Sequence, residues 1–78
     1  MPFQADETLD CVGLYCPMPI LLTAEKMARM SPGQVLEVIS DDKGIRTDMP
    51  AWCESTGNDF LGIEEAGKEY RVYVRKRK

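Results

Sequence analysis

Cys16, Pro17, Met18 and Pro19 place a thiol ahead of two prolines, at the first and third positions after it. They follow Gly13, Leu14 and Tyr15 and open the one long helical pattern in the chain. Proline has a fixed φ and no N–H, so a first helical turn tolerates it, since amides there lack intrahelical acceptors. The residue before each proline is pushed out of helical geometry, which predicts an extended Cys16. The helix then starts either at Pro17, with Cys16 as cap, or at Pro19, with Met18 as cap. Either start puts the thiol within about one turn of the positive end of a helix dipole, which favours the thiolate. Neither proline can donate to the sulfur, so only amides such as those of Met18 and Ile20 are left to do so. A thiolate helped by the dipole but not caged, on an exposed loop of restricted freedom, suits a sulfur atom that must leave again.

Composition removes most other chemistry. The 78 residues contain no histidine, which excludes Cys–His nucleophilic catalysis and His-based metal sites within one chain. Three cysteines cannot complete a four-thiolate zinc site, and the Cys11–Cys16 spacing is not that of a metal knuckle. No glycine-rich phosphate loop is present. The expectation is therefore no metal and no cofactor, only chemistry that a sulfur atom can perform alone, such as accepting and releasing another sulfur atom. The odd cysteine count argues against a disulfide-stapled secreted fold and for a reducing cytoplasm. Met1 to Leu9 has neither a basic nor an apolar signal region, and no apolar run approaches the roughly 20 residues of a membrane span.

Charge is uneven. Residues 1–67 hold four basic side chains against twelve acidic ones, a net of −8, while residues 68–78 hold six against one, a net of +5. The Arg75-Lys76-Arg77-Lys78 tail reads as a solubilising strand end, because an acidic body is a poor surface for nucleic acid.

These residues need elements to position them. Thr8 to Val12 alternates as a short strand, with Cys11 on the Leu9 face and Gly13 as the bend after it. The first helix runs to about Met30 and stops at Ser31-Pro32-Gly33. Ile20, Ala24, Met27 and Ala28 form its expected buried stripe, with Glu25, Lys26 and Arg29 opposite. Leu22 falls on that polar side, near the cysteine. Val35 to Ser40 is the strongest strand signal, and Asp41 to Gly44 is a turn. A second helix is expected from Thr47 or Asp48, with Pro50 in its first turn, ending at Gly57 as a left-handed cap. Met49, Trp52, Cys53 and Thr56 share one of its faces, so Trp52 and Cys53 are expected in the core. Phe60–Glu65 and Tyr70–Arg75 form a hairpin across Ala66-Gly67-Lys68, with Tyr70, Val72 and Val74 inward and Arg71, Tyr73 and Arg75 toward solvent. The order β-α-β-α-β-β predicts one domain over residues 1–78. It is an α/β two-layer sandwich, a four-stranded mixed sheet with both helices on one face.

With those elements assigned, the sequence resembles the TusA/SirA-like family of sulfur carriers, small sulfurtransferases. The resemblance is carried by Leu9-Asp10, Gly13 through Pro19 and Pro32-Gly33. It continues through Asp41-Asp42, Asp48-Met49-Pro50 and Trp52-Cys53, and covers about Thr8 to Lys76. It implies that Cys16 takes a persulfide sulfur from a cysteine desulfurase or another donor. The sulfur would pass to an acceptor protein in tRNA thiolation, molybdenum-cofactor supply or sulfur oxidation. Gly13, Leu14, Pro17 and Pro19 would shape the loop, and Tyr15, Met18, Leu22, Asp42 and Asp48 are candidate partner contacts. Two residues depart from the family pattern. Tyr15 stands where many relatives are basic, and Asn58 stands where many carry histidine.

Two other functions compete. A thiol–disulfide module would use Cys11 and Cys16, which requires Cα atoms within about 7 Å. A binding module for RNA or another partner would use Arg71, Tyr73, Arg75 and the basic tail, and would bind less tightly as salt rises.

Overall fold

A computed structural model describes residues 4–15 and 17–77, and its elements follow the expected order. They are β1 (Glu7–Asp10), α1 (Met18–Ala28), β2 (Val35–Ser40), α2 (Ile45–Thr56), β3 (Asp59–Ala66) and β4 (Glu69–Arg75). The sheet is ordered β1-β2-β4-β3. β1 lies parallel to β2, with Leu9 opposite Val38, while β4 runs antiparallel to both β2 and β3. The α2 crossover therefore carries the chain past the position that β4 later fills.

Alternation sets the two faces of the sheet. Leu36 and Val38 of β2 and Val72 and Val74 of β4 are fully buried beneath the helices, with Met27, Met49 and Cys53 packed onto them. Glu7 shares that face, and its carboxylate meets Lys26 of α1 at 3.2 Å.

Both helices differ in detail from the sequence expectation. α1 begins at Met18, with Pro17 in the cap position and Pro19 in the first turn, so neither expected start is the observed one. Its buried line is Pro19, Thr23 and Met27, four residues apart, and Ala24 and Ala28 are exposed. The stripe is rotated because Thr23 can enter the core at little cost. Its hydroxyl donates to the Pro19 carbonyl at 2.7 Å, so no buried polar group is left unpaired. The same rotation turns Leu22 toward the core and leaves Leu21 55% exposed.

α2 starts two or three residues earlier than expected, at Ile45, so Pro50 lies inside it rather than in its first turn. Its first turn is wound tightly. Ile45, Arg46 and Thr47 donate to the carbonyls three residues back, and Asp48 is the first to donate four back, to Gly44. The expected turn at residues 41–44 thus winds straight into the helix. Gly44 occupies the cap position. The helix ends as expected at Gly57, where φ is +79°. Met49 and Cys53 are buried, but Trp52 is only half-buried and Thr56 is exposed.

The helix-free face of the sheet holds another correction. Tyr73, expected toward solvent, is fully buried. Its hydroxyl donates to Glu37 Oε2 at 2.7 Å, while Thr8 Oγ1 donates to Glu37 Oε1 at 3.3 Å and Arg71 Nη1 lies 3.8 Å from Oε2. Register lines up Thr8, Glu37, Tyr73 and Gly62 across all four strands. A buried carboxylate is tolerated there because its oxygens have partners.

Candidate functional site

Cys16 itself lies outside the described residues, so the site is built from what brackets it. The loop between β1 and α1 begins on the sheet, where the Cys11 amide donates to the Ile39 carbonyl at 2.7 Å and extends the parallel ladder by one residue. Alternation turns the Cys11 side chain inward, and it is fully buried. The chain then turns sharply. Leu14 N donates to Cys11 O at 3.1 Å, and Gly13 holds φ +86° at the third position of that turn, the type II arrangement. Open space surrounds Gly13 where a Cβ would sit, so the requirement for glycine is conformational rather than steric.

Two carboxylates hold this turn from outside. Asp10 Oδ1 accepts the Val12 amide at 3.0 Å, and Asp41 Oδ1 accepts the Gly13 amide at 3.0 Å across 28 residues of sequence. Leu14 is half-buried against the core. At the far end, Met18 N donates to Tyr15 O at 2.9 Å and Leu21 N to Pro17 O at 3.0 Å. Of the two amides expected to be available to a thiolate, that of Met18 is thus already engaged. No acidic residue lies in the first turn of α1, so nothing there offsets the positive end of the helix dipole.

The surface around this loop is apolar. Among the described residues, the large exposed hydrophobic side chains are Val12 (43%), Tyr15 (69%), Met18 (42%) and Leu21 (55%), which bracket position 16 on both sides. Tyr15 and Met18 were among the candidate contacts; Val12 and Leu21 were not. Both were recoverable from the sequence. Val12 follows an inward Cys11, and Leu21 lies three residues after Met18 on the same helical face. Leu22, also a candidate contact, packs inward.

Asp42 and Asp48 come together beside the start of α1. With Pro19, Ile20 and Ile45 they line a shallow surface depression. Asp42 also organises the start of α2, since its Oδ1 accepts the Gly44 amide at 3.0 Å and its carbonyl accepts that of Ile45 at 3.1 Å.

The other two thiols are poorly suited to nucleophilic work. Burial, and secondarily the charge of Asp10, raises the pKa of Cys11. Burial and then Asp59 push Cys53 up to about 11, so both are thiols, not thiolates, near neutral pH. Among the described residues, no group of three or more metal-ligating side chains is present. No described helix is long and apolar enough to cross a membrane. The basic tail is largely engaged. Arg75 donates to Asp59 Oδ2 at 2.7 and 3.0 Å, Arg77 Nε lies 3.5 Å from Asp59 Oδ1, and Lys76 Nζ donates to the Met30 carbonyl at 2.7 Å.

Comparison with known proteins gives this arrangement a context. The family model described as sulfurtransferase TusA matches residues 7–76. A putative sulfur carrier protein of Bacillus subtilis, YrkF, is 44% identical over 73 residues, which make up 94% of this chain and 40% of that protein. The chain therefore spans well under half the length of that relative. The sulfur carrier protein TusA of Allochromatium vinosum is 39% identical over 71 residues, covering 91% of this chain and 93% of that one. A crystal structure of a SirA-like protein from Desulfitobacterium hafniense superposes with a TM-score of 0.75 at 23% identity, over 92% of this chain and 99% of that one. The last likeness establishes the shared fold.

Proposed function

Because the chain belongs to the TusA sulfurtransferase family, we propose that it is a sulfur carrier and that Cys16 is the residue that bears the sulfur. The Cys16 thiolate attacks the outer sulfur of a donor's cysteine persulfide. A new sulfur–sulfur bond forms on Cys16 as the donor's bond breaks, and the donor cysteine leaves as its thiolate. The second transfer repeats this exchange with an acceptor thiolate, so no oxidant, metal or cofactor is consumed. A cysteine desulfurase or another persulfide protein serves as donor, in the cytoplasm. The acceptor belongs to tRNA thiolation, molybdenum-cofactor supply or sulfur oxidation.

The observation that supports this reading best is the exposed apolar set of Val12, Tyr15, Met18 and Leu21, residues that flank Cys16 in the sequence where α1 begins. Such a patch suits a protein partner that must bring its own sulfur to the thiol. The depression lined by Asp42 and Asp48 favours a partner with an arginine or lysine beside its apolar contact.

The test is mass spectrometry after incubation with a cysteine desulfurase and cysteine, or with polysulfide. Each added sulfur gives a gain of about 32 Da at Cys16, reversed by reductant. Cys16→Ser is expected to abolish the gain and the onward delivery. Loading and delivery that continue at the normal rate through Cys11 or Cys53 would remove Cys16 from the role.

A further inference from the structure

We infer that Asp41 is a positioning residue that locks the peptide plane between Val12 and Gly13, and so steadies the turn at the base of the loop that carries Cys16. The inference rests on the sulfur-carrier reading for its functional consequence, and on the hydrogen bonding of the loop for its geometry.

The loop leaves the sheet through a turn that has two close alternatives. Type I and type II turns share the same bond between first carbonyl and fourth amide, here Cys11 O and Leu14 N. They differ by a flip of the central peptide, which points the third residue's N–H to opposite sides. Glycine accepts either backbone conformation at that position, so Gly13 does not choose between them. An acceptor on one side does choose. Asp41 Oδ1 takes the Gly13 amide at 3.0 Å, and Gly13 holds φ +86°, the flipped, type II state.

Asp41 is well placed to act as a fixed point. It follows β2 directly, and Ile39 two residues earlier pairs with Asp10 and accepts the Cys11 amide. The next residue, Asp42, is tied to Ser40 Oγ through its amide at 3.1 Å and to Gly44 N through its carboxylate at 3.0 Å. Asp41 thus links the turn before Cys16 to the segment that starts α2. Asp10, the other carboxylate on the turn, binds only two residues along its own chain and cannot refer the loop to the second helix.

Sulfur exchange requires near-linear alignment of three sulfur atoms, so a loop whose first turn samples two peptide orientations loses rate more than affinity. The test compares Asp41→Asn, which keeps the Oδ1 acceptor, with Asp41→Ala, which removes it. In Asp41→Ala, exchange of the Gly13 amide measured by NMR is expected to speed up at least about tenfold, with other core amides unchanged. The maximal rate of persulfide loading from a desulfurase should fall roughly tenfold with little change in KM. Asp41→Asn should restore both to within about threefold of wild type. An unchanged Gly13 exchange rate in Asp41→Ala overturns the lock. An Asp41→Asn variant as slow as Asp41→Ala overturns it too, because the carboxylate would then act through its charge on a partner. A wild-type chain that does not load sulfur overturns the sulfur-carrier reading instead, while the Gly13 exchange contrast still judges the lock.

Discussion

Tyr73 and Cys53 show how individual side chains carry pH dependence in this molecule. The Tyr73 phenol is pushed up to about 12, first by burial and then by its hydrogen bond and proximity to Glu37. The Cys53 thiol is pushed up to about 11. Each group is favoured in its neutral form by the fold, so its contribution is complete below its ordinary pKa and is lost as pH rises through the folded value. Denaturant unfolding at pH 8, 10 and 11.5 is expected to show stability falling from about pH 9 upward, first through Cys53 and then through Tyr73. Tyr73→Phe should flatten the upper part of that fall. At neutral pH the same variant should lose about 1–3 kcal/mol, because it removes a hydrogen bond to a buried carboxylate. Cys53→Ala should cost about 1–3 kcal/mol through lost packing and leave sulfur loading intact. Loss of loading in Cys53→Ala with the fold preserved would bring a second thiol into the mechanism.

Helix α1 is the element on which core and surface roles divide, and neighbouring leucines separate them. Leu22 packs against the core, so Leu22→Ala is expected to lower stability by about 1–2 kcal/mol without changing the affinity for a sulfur donor. Leu21 is exposed beside Met18 and Tyr15. Leu21→Glu should leave stability within about 0.5 kcal/mol and weaken donor binding, measured as a rise in KM for persulfide loading. The opposite pattern, with Leu21 governing stability and Leu22 governing binding, would contradict the observed rotation of the helix. That rotation follows from Thr23, whose hydroxyl is satisfied by Pro19 O. The second helix owes its early start to a tight first turn, which delays the first four-residue bond to Asp48. Pro50 comes two residues after the regular ladder begins, so its missing N–H leaves the Arg46 carbonyl without the usual four-residue donor.

Across the whole molecule, most opposite charges meet by folding, and of the described ion pairs only Glu25 with Arg29 is local in sequence. Asp59, at the start of β3, gathers Arg75 and Arg77 from the end of the chain, and Lys76 reaches the carbonyl of Met30 just past α1. Asp59 thus holds two of the tail's cations against an otherwise acidic body, although one carboxylate offsets only one of their charges. At about 150 mM salt the chain is expected to pass unretained over immobilised single-stranded RNA, since residues 1–67 carry a net charge of −8 that repels phosphate. Salt-dependent retention that survives Cys16→Ser would revive the binding-module alternative.

The sequence by itself determined the element order, the strand at Val35–Ser40, the glycine cap at Gly57 and the inward direction of Cys11 and Cys53. Each is a local matter of periodicity, turn chemistry or alternation. It also marked Cys16 as the thiol to consider, because proline spacing and the lack of histidine are visible without a fold. Tertiary structure decided the rest. Alternation placed Tyr73 on the helix-free face but could not show its depth there. That depth depends on Glu37 and Thr8 arriving from two other strands and on Gly62, without a side chain, pairing opposite. Helical spacing marked a buried stripe on α1 but not its rotation, which depends on whether a polar Thr23 finds a partner in the core. The role of Asp41 was likewise invisible, because a turn residue becomes an anchor only when the parallel pairing of β1 with β2 brings Gly13 to within a hydrogen bond of it.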